Sequence, residues 1–303
     1  MTIYLNCHSY HSLRYGTIPL EDLVDLARKM GVTTLGLTDI NTVTGIYDFI
    51  RICDKRNIKP IVGIEFRNDD ERLYTGLAKN TKGIGELCKF LTNHNLEGKS
   101  LPRIAPKFKN AFIIYPLSNV PVRLEKHEFL GVTDNETTQL IQTKYQKLLR
   151  KTIAFPSITI RDNVEFELHK ALRCIDHNIL LSQLAEHAHC RPSEIMKAPR
   201  TLEEQFSRYP GIIRNTVKLA ERCTFNFEFS KPRNKKLYTG SKSGDMLLLG
   251  QLAEDGIIRR YGTNNKEAKV RMVKELKVIG ELNFTGYFLI TWDIIRYSKS
   301  KGF

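Results

Sequence analysis

Residues 1–66 alternate short apolar runs with helical periods, and that alternation restricts the fold more than any other feature of the chain. The run Ile3-Tyr4-Leu5-Asn6-Cys7-His8-Ser9 passes from apolar to polar, as a buried strand does when it reaches a surface. Leu23, Leu26, Ala27 and Met30 recur at helical spacing over residues 20–30, and Gly31 stops that helix. Thr34-Leu35-Gly36-Leu37-Thr38 predicts a second strand, ending in Asp39. Residues 45–57 predict a second helix, and residues 58–64 a third strand ending in Glu65. A β-α-β-α-β unit of this kind makes its strands parallel and keeps its helices outside. Such sheets and barrels gather chemistry at the carboxyl ends of their strands. His8, Asp39 and Glu65 each fall at one of those ends, so three potential metal or phosphate ligands are expected around a single mouth.

The alternation continues. Residues 73–78, 111–115, 129–132 and 152–155 predict strands, and residues 83–93 and 136–150 predict helices. The helix at 136–150 carries Leu140, Ile141, Tyr145, Leu148 and Leu149 on its apolar side. From Glu203 onward the pattern is all-helical, and in residues 266–282 Val270, Val273, Leu276 and Ile279 form one apolar face. A basic linker with Pro232, Lys235, Lys236 and Gly240 marks a boundary, dividing the chain into 1–228, 229–242 and 243–303.

With 41% hydrophobic and 26% charged residues, the chain reads as a globular protein. It has no run of about 18 apolar residues and no signal-peptide pattern at its start, so a cytoplasmic protein with no membrane partner is expected. The net charge is +14, and residues 231–303 hold 15 Lys/Arg against 7 Asp/Glu. A basic excess so placed favours a polyanion, with nucleic acid first among partners, although it also serves solubility. The six cysteines form no CxxC pair and read as buried free thiols. His187-Ala188-His189-Cys190 crowds three ligand types too closely for one tetrahedral ion and is expected to be a surface loop. His169 is expected to pack against the barrel wall.

Cys7-His8-Ser9-Tyr10-His11-Ser12-Leu13, Leu37-Thr38-Asp39 and Ile58-Lys59-Pro60-Ile61-Val62-Gly63-Ile64-Glu65 together resemble the start of a PHP domain. In detail they resemble the PHP domains that open the alpha subunits of bacterial DNA polymerase III. The resemblance implies a distorted (β/α)7 barrel followed by a mainly helical segment that leads into a polymerase palm. Residues 282–296, Leu-Asn-Phe-Thr-Gly-Tyr-Phe-Leu-Ile-Thr-Trp-Asp-Ile-Ile-Arg, resemble the entry to that palm. The chain departs from the family's metal motifs, however. Where active members have His-x-His and Thr-Asp-His, this chain has Asn6-Cys7-His8 and Thr38-Asp39-Ile40. Where they have an aspartate and a histidine after a later strand, it has Ser157 and Thr159. Only His8, Asp39 and Glu65 keep ligand chemistry among the aligned positions. His8 can equally be a hydrogen-bonded structural residue, and Asp39, beside Asn41 and Thr42, can equally cap the second helix.

The resemblance implies a parent DNA polymerase acting on primer-template DNA and deoxynucleotides, with Mg2+ at palm aspartates that are expected beyond Phe303. A proofreading subunit and the sliding clamp are implied partners. No catalytic residue and no cofactor are expected in this chain, and the degenerate PHP domain is expected to be structural. The alternative is an active metal-dependent phosphoesterase or 3′–5′ exonuclease holding Zn2+ or Mn2+ at His8, Asp39 and Glu65. Arg259, Arg260, Lys274, Lys277 and Arg296 are candidates for DNA contact.

Overall fold

A computed structural model describes residues 2–229 and 237–303. It comprises two compact units, Met1–Phe227 and Glu228–Phe303. Pro232, Lys235 and Lys236 of the basic linker lie outside the described residues.

The first unit opens with β1 (Thr2–Cys7), α1 (Leu20–Lys29), β2 (Val32–Leu37), α2 (Ile46–Lys55) and β3 (Lys59–Asn68). There follow β4 (Glu71–Ala78), α3 (Thr81–Glu97), β5 (Ala111–Pro116), β6 (Glu128–Val132), α4 (Thr143–Gln146), β7 (Thr152–Ala154) and β8 (Ser157–Ile158). Then come α5 (Asn163–His177), α6 (Pro199–Gln205) and α7 (Pro210–Glu221). The eight strands form one sheet in the order β7-β6-β5-β4-β3-β2-β1-β8. The pairs β1–β2, β2–β3, β1–β8, β5–β6 and β6–β7 are parallel, whereas β4 runs antiparallel to both of its neighbours.

This order forces the sheet to curl. A flat sheet of eight strands would put its edges about 34 Å apart. Yet the edge strands β7 and β8 are joined through Phe155 and Pro156 alone, a link that spans about 10 Å at most. The sheet therefore rolls into a distorted barrel, with eight strands instead of seven and a β3-β4 hairpin interrupting the parallel run.

Two apolar layers follow from the roll. Ile3, Leu5, Ile61, Leu77, Phe112, Ile114, Ile153 and Phe155 fill the interior together with Leu219, Ala220 and Cys223 from the α7 end. α7 is tied there by Thr216, whose Oγ1 accepts the Ala154 N–H at 2.9 Å, and by Lys59 Nζ, which donates to Ala220 O at 2.8 Å. The larger cluster outside the sheet packs α1, α2 and α3 through residues such as Leu23, Phe49 and Leu87.

Two strands change phase on the way to the mouth. Between Tyr4 and Cys7, β1 spends three residues while β2 spends two, Leu35 to Leu37. This bulge sends Cys7 to the outer cluster and turns Asn6 inward. In β4, Tyr74 pairs with Phe66 but Arg72 pairs with Arg67, so one residue is extra there as well. Leu73 joins the outer cluster as a result, and Arg72 faces the mouth.

The helix expected over residues 136–150 is broken. A 3-10 segment, Asp134–Ile141, starts at a Thr133/Glu136 capping box, and Gln142 is extended at φ −61°, ψ 134°. The short α4 and a 3-10 turn, Leu149–Lys151, follow. Burying Leu140 and Tyr145 does not need one continuous helix here.

The second unit contains α8 (Lys242–Tyr261), α9 (Lys266–Glu281) and α10 (Thr285–Ser300). Ser241 and Asn265 cap α8 and α9 by accepting from Gly244 and Ala268 N–H groups. Asp245 holds the preceding turn by accepting from Tyr238 N–H at 2.9 Å and Thr239 N–H at 2.6 Å. The apolar face expected on α9 is not buried within this unit: Val270 and Val273 are 71% and 63% exposed, because three helices alone do not enclose it. Among the described residues, no helix is long and apolar enough to cross a membrane.

Candidate functional site

The barrel mouth brings His8, Asp39 and Glu65 together, all buried; His8 and Asp39 follow β1 and β2, whereas Glu65, expected at the end of the third strand, lies within β3, which runs on to Asn68 in its pairing with β4. They do not form a common ligand set. Each is occupied by different protein groups, and those groups account for the charge of the site.

Asp39 is held from the β1–α1 loop. Its Oδ1 accepts from Ser9 N–H at 2.6 Å and Ser12 Oγ at 2.7 Å, and its Oδ2 accepts from Ser9 Oγ at 2.8 Å. Burial raises the Asp39 carboxyl above its ordinary value, and the Ser12 and Ser9 donors partly offset that rise. The α2 helix is preceded by Gly45 and receives no side-chain cap, so the capping role weighed for Asp39 is not realised.

Glu65 is held by cations. Its Oε1 accepts from Arg67 Nε at 2.6 Å with Arg67 Nη2 at 2.5 Å. Its Oε2 lies 3.0 Å from Arg72 Nε and accepts from Asn6 Nδ2 at 3.2 Å. Burial opposes the charge of Glu65, but Arg67, then Arg72, then His8 overcome it and hold the carboxyl well below the usual range. Arg67 is itself fixed: Asn41, in the left-handed region at φ 49°, accepts its N–H at 3.1 Å and donates to its carbonyl at 2.8 Å. The Tyr15 ring lies under its guanidinium, 4.3 Å from centroid to Cζ.

The four positions where the family motif is lost have other work. Asn6 accepts from Thr38 Oγ1 at 2.7 Å and donates to Ser157 Oγ at 2.8 Å as well as to Glu65. Ile40 packs with Tyr15, Ile160 and Cys190 in an apolar cluster. Thr159 donates to Glu194 at 2.6 Å and sits 2.9 Å from His8 Nδ1. Because the single hydroxyl proton goes to Glu194, Nδ1 of His8 is the donor in that second bond. His8 Nε2 then faces Glu65 Oε2 at 3.4 Å, with no hydrogen-bond partner among the described residues.

Those contacts decide what metal chemistry this mouth can support. A multinuclear centre needs several carboxylate and imidazole groups with free lone pairs. Here serine, asparagine and arginine groups occupy most of the lone pairs of both carboxylates, and Arg67 and Arg72 place two positive charges beside Glu65. The residues present do not fit a metal. No group of three His, Cys, Asp or Glu among the described residues is placed to hold one.

Several residues of the site escaped sequence reasoning. Arg67 was legible, since strand periodicity puts it on the same face as Glu65, two residues earlier. Arg72 was hidden by its bulge, Ser9 and Ser12 lay in the family-like stretch with no role of their own, and Glu194 carried no signal. His169 packs inside, as expected: Nδ1 donates to Tyr15 O at 2.6 Å and Nε2 accepts the Cys190 N–H at 2.8 Å. The His187–Cys190 stretch is not wholly at the surface. Its end turns inward, and Cys190 is 1% exposed. All six cysteines are free.

In the second unit the basic candidates are scattered. Arg259 and Arg260 line a cleft of about 770 Å³ with Tyr261 and Arg271. Lys274 and Lys277 are exposed on α9, the latter 4.0 Å from Glu281. Arg296 on α10 pairs with Asp293 at 2.6 Å and lies over Trp292.

The family model for the PHP domain matches residues 5–171, more than half of the chain. This chain belongs to the PHP family. A second model, described as the bacterial DNA polymerase III alpha NTPase domain, matches residues 248–303. Relatives of this PHP protein include an error-prone DNA polymerase from Symbiobacterium thermophilum, 24% identical over 99% of this chain and 32% of that protein. The DNA polymerase III subunit alpha of Halalkalibacterium halodurans is 26% identical over 98% of this chain and 30% of that protein. The chain thus spans about a third of the length of the curated relatives it matches. Among solved structures, an amidohydrolase from Chromobacterium violaceum is similar at 22% identity and a TM-score of 0.27, covering 32% of this chain and 35% of that one.

Proposed function

We propose that this chain works as the N-terminal part of a DNA polymerase III alpha-type polymerase, in which the PHP barrel is a non-catalytic brace and the helical unit leads toward the polymerase body. The carrying observation is that PHP and polymerase alpha matches occur in one chain, in that order, while relatives named as polymerases align along 98–99% of it. On this reading the parent extends a DNA primer on a template with deoxynucleotides and Mg2+ in the cytoplasm. A proofreading subunit and the sliding clamp are its expected partners. The boundary between barrel and polymerase segment falls in residues 229–242. Arg259, Arg260, Lys274, Lys277 and Arg296 contact DNA phosphates.

The phosphoesterase or exonuclease alternative has His8, Asp39 and Glu65 in its favour. The serine bonds on Asp39 and the two arginines against Glu65 weigh against it.

Incubating the chain with labelled primer-template, deoxynucleotides and Mg2+, Zn2+ or Mn2+ tests the proposal. Salt-sensitive binding is expected, without extension and without hydrolysis. Release of 3′ nucleotides that is lost in Asp39→Asn would establish the alternative, and absence of DNA binding would remove the DNA role from the helical unit.

A further inference from the structure

Glu65 is fully buried at the centre of the mouth, with Arg67 Nη2 2.5 Å from Oε1 and Arg72 Nε 3.0 Å from Oε2, an arrangement that favours its ionised form. A carboxylate in that position requires permanent positive charge within a few ångströms. Here Arg67 and Arg72 meet it from directly opposite positions on β3 and β4. Like charges opposite one another across an antiparallel pair are ordinarily unfavourable. The arrangement is tolerable because both guanidiniums converge on one anion, Arg67 on Oε1 and Arg72 on Oε2. Backbone and side chains alike are committed to it. A bulge turns Arg72 inward, Asn41 clamps the Arg67 main chain, and Tyr15 covers the Arg67 guanidinium. Arg72 also reaches Ser157 Oγ at 3.4 Å, one of the positions where the metal motif is lost.

We propose that Arg67 and Arg72 are the resident cations of this centre, covalently attached replacements for divalent metal that neutralise Glu65 and close the mouth to metal. A guanidinium stays charged at every working pH, so this compensation is independent of metal supply and of acidity. It also repels an incoming divalent ion. Restoring ligands at Asn6, Ile40, Ser157 and Thr159 would therefore not restore metal binding while the two arginines remain.

A double-mutant cycle on the whole chain tests this, with metal content read on the same samples. The wild-type unfolding midpoint should not move with Zn2+, Mn2+ or EDTA, and bound metal should be substoichiometric. Arg72→Met should lower the midpoint by about 10 °C, as expected for a buried charge left without its partner. In a Glu65→Gln background the same substitution should cost little, because the anion it balances is gone. Stoichiometric metal in the wild-type chain would overturn the proposal, as would an equal loss from Arg72→Met in both backgrounds. Should Arg72→Met alone not fold, the paired variant decides: a folded Glu65→Gln/Arg72→Met chain supports the proposal, and an unfolded one defeats it.

Discussion

His169 Nε2 accepts the backbone N–H of Cys190 at 2.8 Å, which ties the middle of α5 to the segment that follows it. The other ring nitrogen donates to Tyr15 O at 2.6 Å, so both nitrogens are used only when the ring is neutral. Burial is the chief cause that lowers its pKa to about 4, with the Tyr15 carbonyl acting in the opposite sense. Between pH 6.5 and about 4 the unfolded chain therefore binds a proton that the folded one refuses. Stability should fall with pH across that window, by about 3 kcal/mol in total. Urea unfolding at several pH values would measure it. The slope should flatten in His169→Gln, and an unchanged slope there would assign the dependence to other groups.

Arg173, on the same buried face of α5, should be as sensitive. Its guanidinium donates to Ala188 O at 2.7 Å, Asp176 Oδ2 at 2.7 Å and Asp70 Oδ1 at 2.5 Å. Asp70 lies at the tip of the β3–β4 hairpin, so one side chain links the hairpin to α5. Arg173→Met should cost about 3 kcal/mol in urea unfolding. Arg173→Lys should recover only a small part, because an ammonium lacks the planar fork that reaches these acceptors together.

Gly16 is a steric hinge for the Asp39 pocket. A Cβ placed there would lie 1.8 Å from Ser9 O, the residue whose N–H and hydroxyl both hold Asp39. Gly16→Ala should displace the loop and destabilise the barrel by about 2–3 kcal/mol. Gly85→Ala in α3, where a Cβ meets nothing within 4 Å, is the matched control and should be neutral or slightly stabilising. Equal effects of the two substitutions would contradict this reading of the loop.

For the helical unit the expected readout is ionic strength. If Arg259 and Arg260 each neutralise one phosphate, replacing both by alanine should reduce the slope of log affinity against log salt by about 2 on duplex DNA. Fluorescence anisotropy at several salt concentrations gives the slope directly. A uniform loss of affinity with no change in slope would place them outside the DNA contact.

Much of this architecture is written locally in the chain. The first three strands, their helices and the shared mouth of His8, Asp39 and Glu65 follow from periodicity and parallel topology. What periodicity could not supply was the partner of each carboxylate. Ser9 reaches Asp39 across 30 positions, and Asn6 reaches Glu65 across 59, with no local pattern to announce either. The break at Gln142 was hidden for a different reason. Apolar spacing over residues 136–150 satisfies a helix, but two 3-10 turns and one α-turn bury Leu140 and Tyr145 as well.

The extra residues in β1 and β4 give this barrel an arithmetic of length. With every residue kept but no surplus, alternation continued from Leu5 would turn Asn6 outward, and alternation continued from Tyr74 would turn Arg72 outward. Either change leaves composition untouched while exchanging the inside and outside of a strand end. Spacing in these two strands is thus as much a part of the centre as the side chains it carries, and a graft of this mouth onto another barrel would have to carry both surplus residues with it.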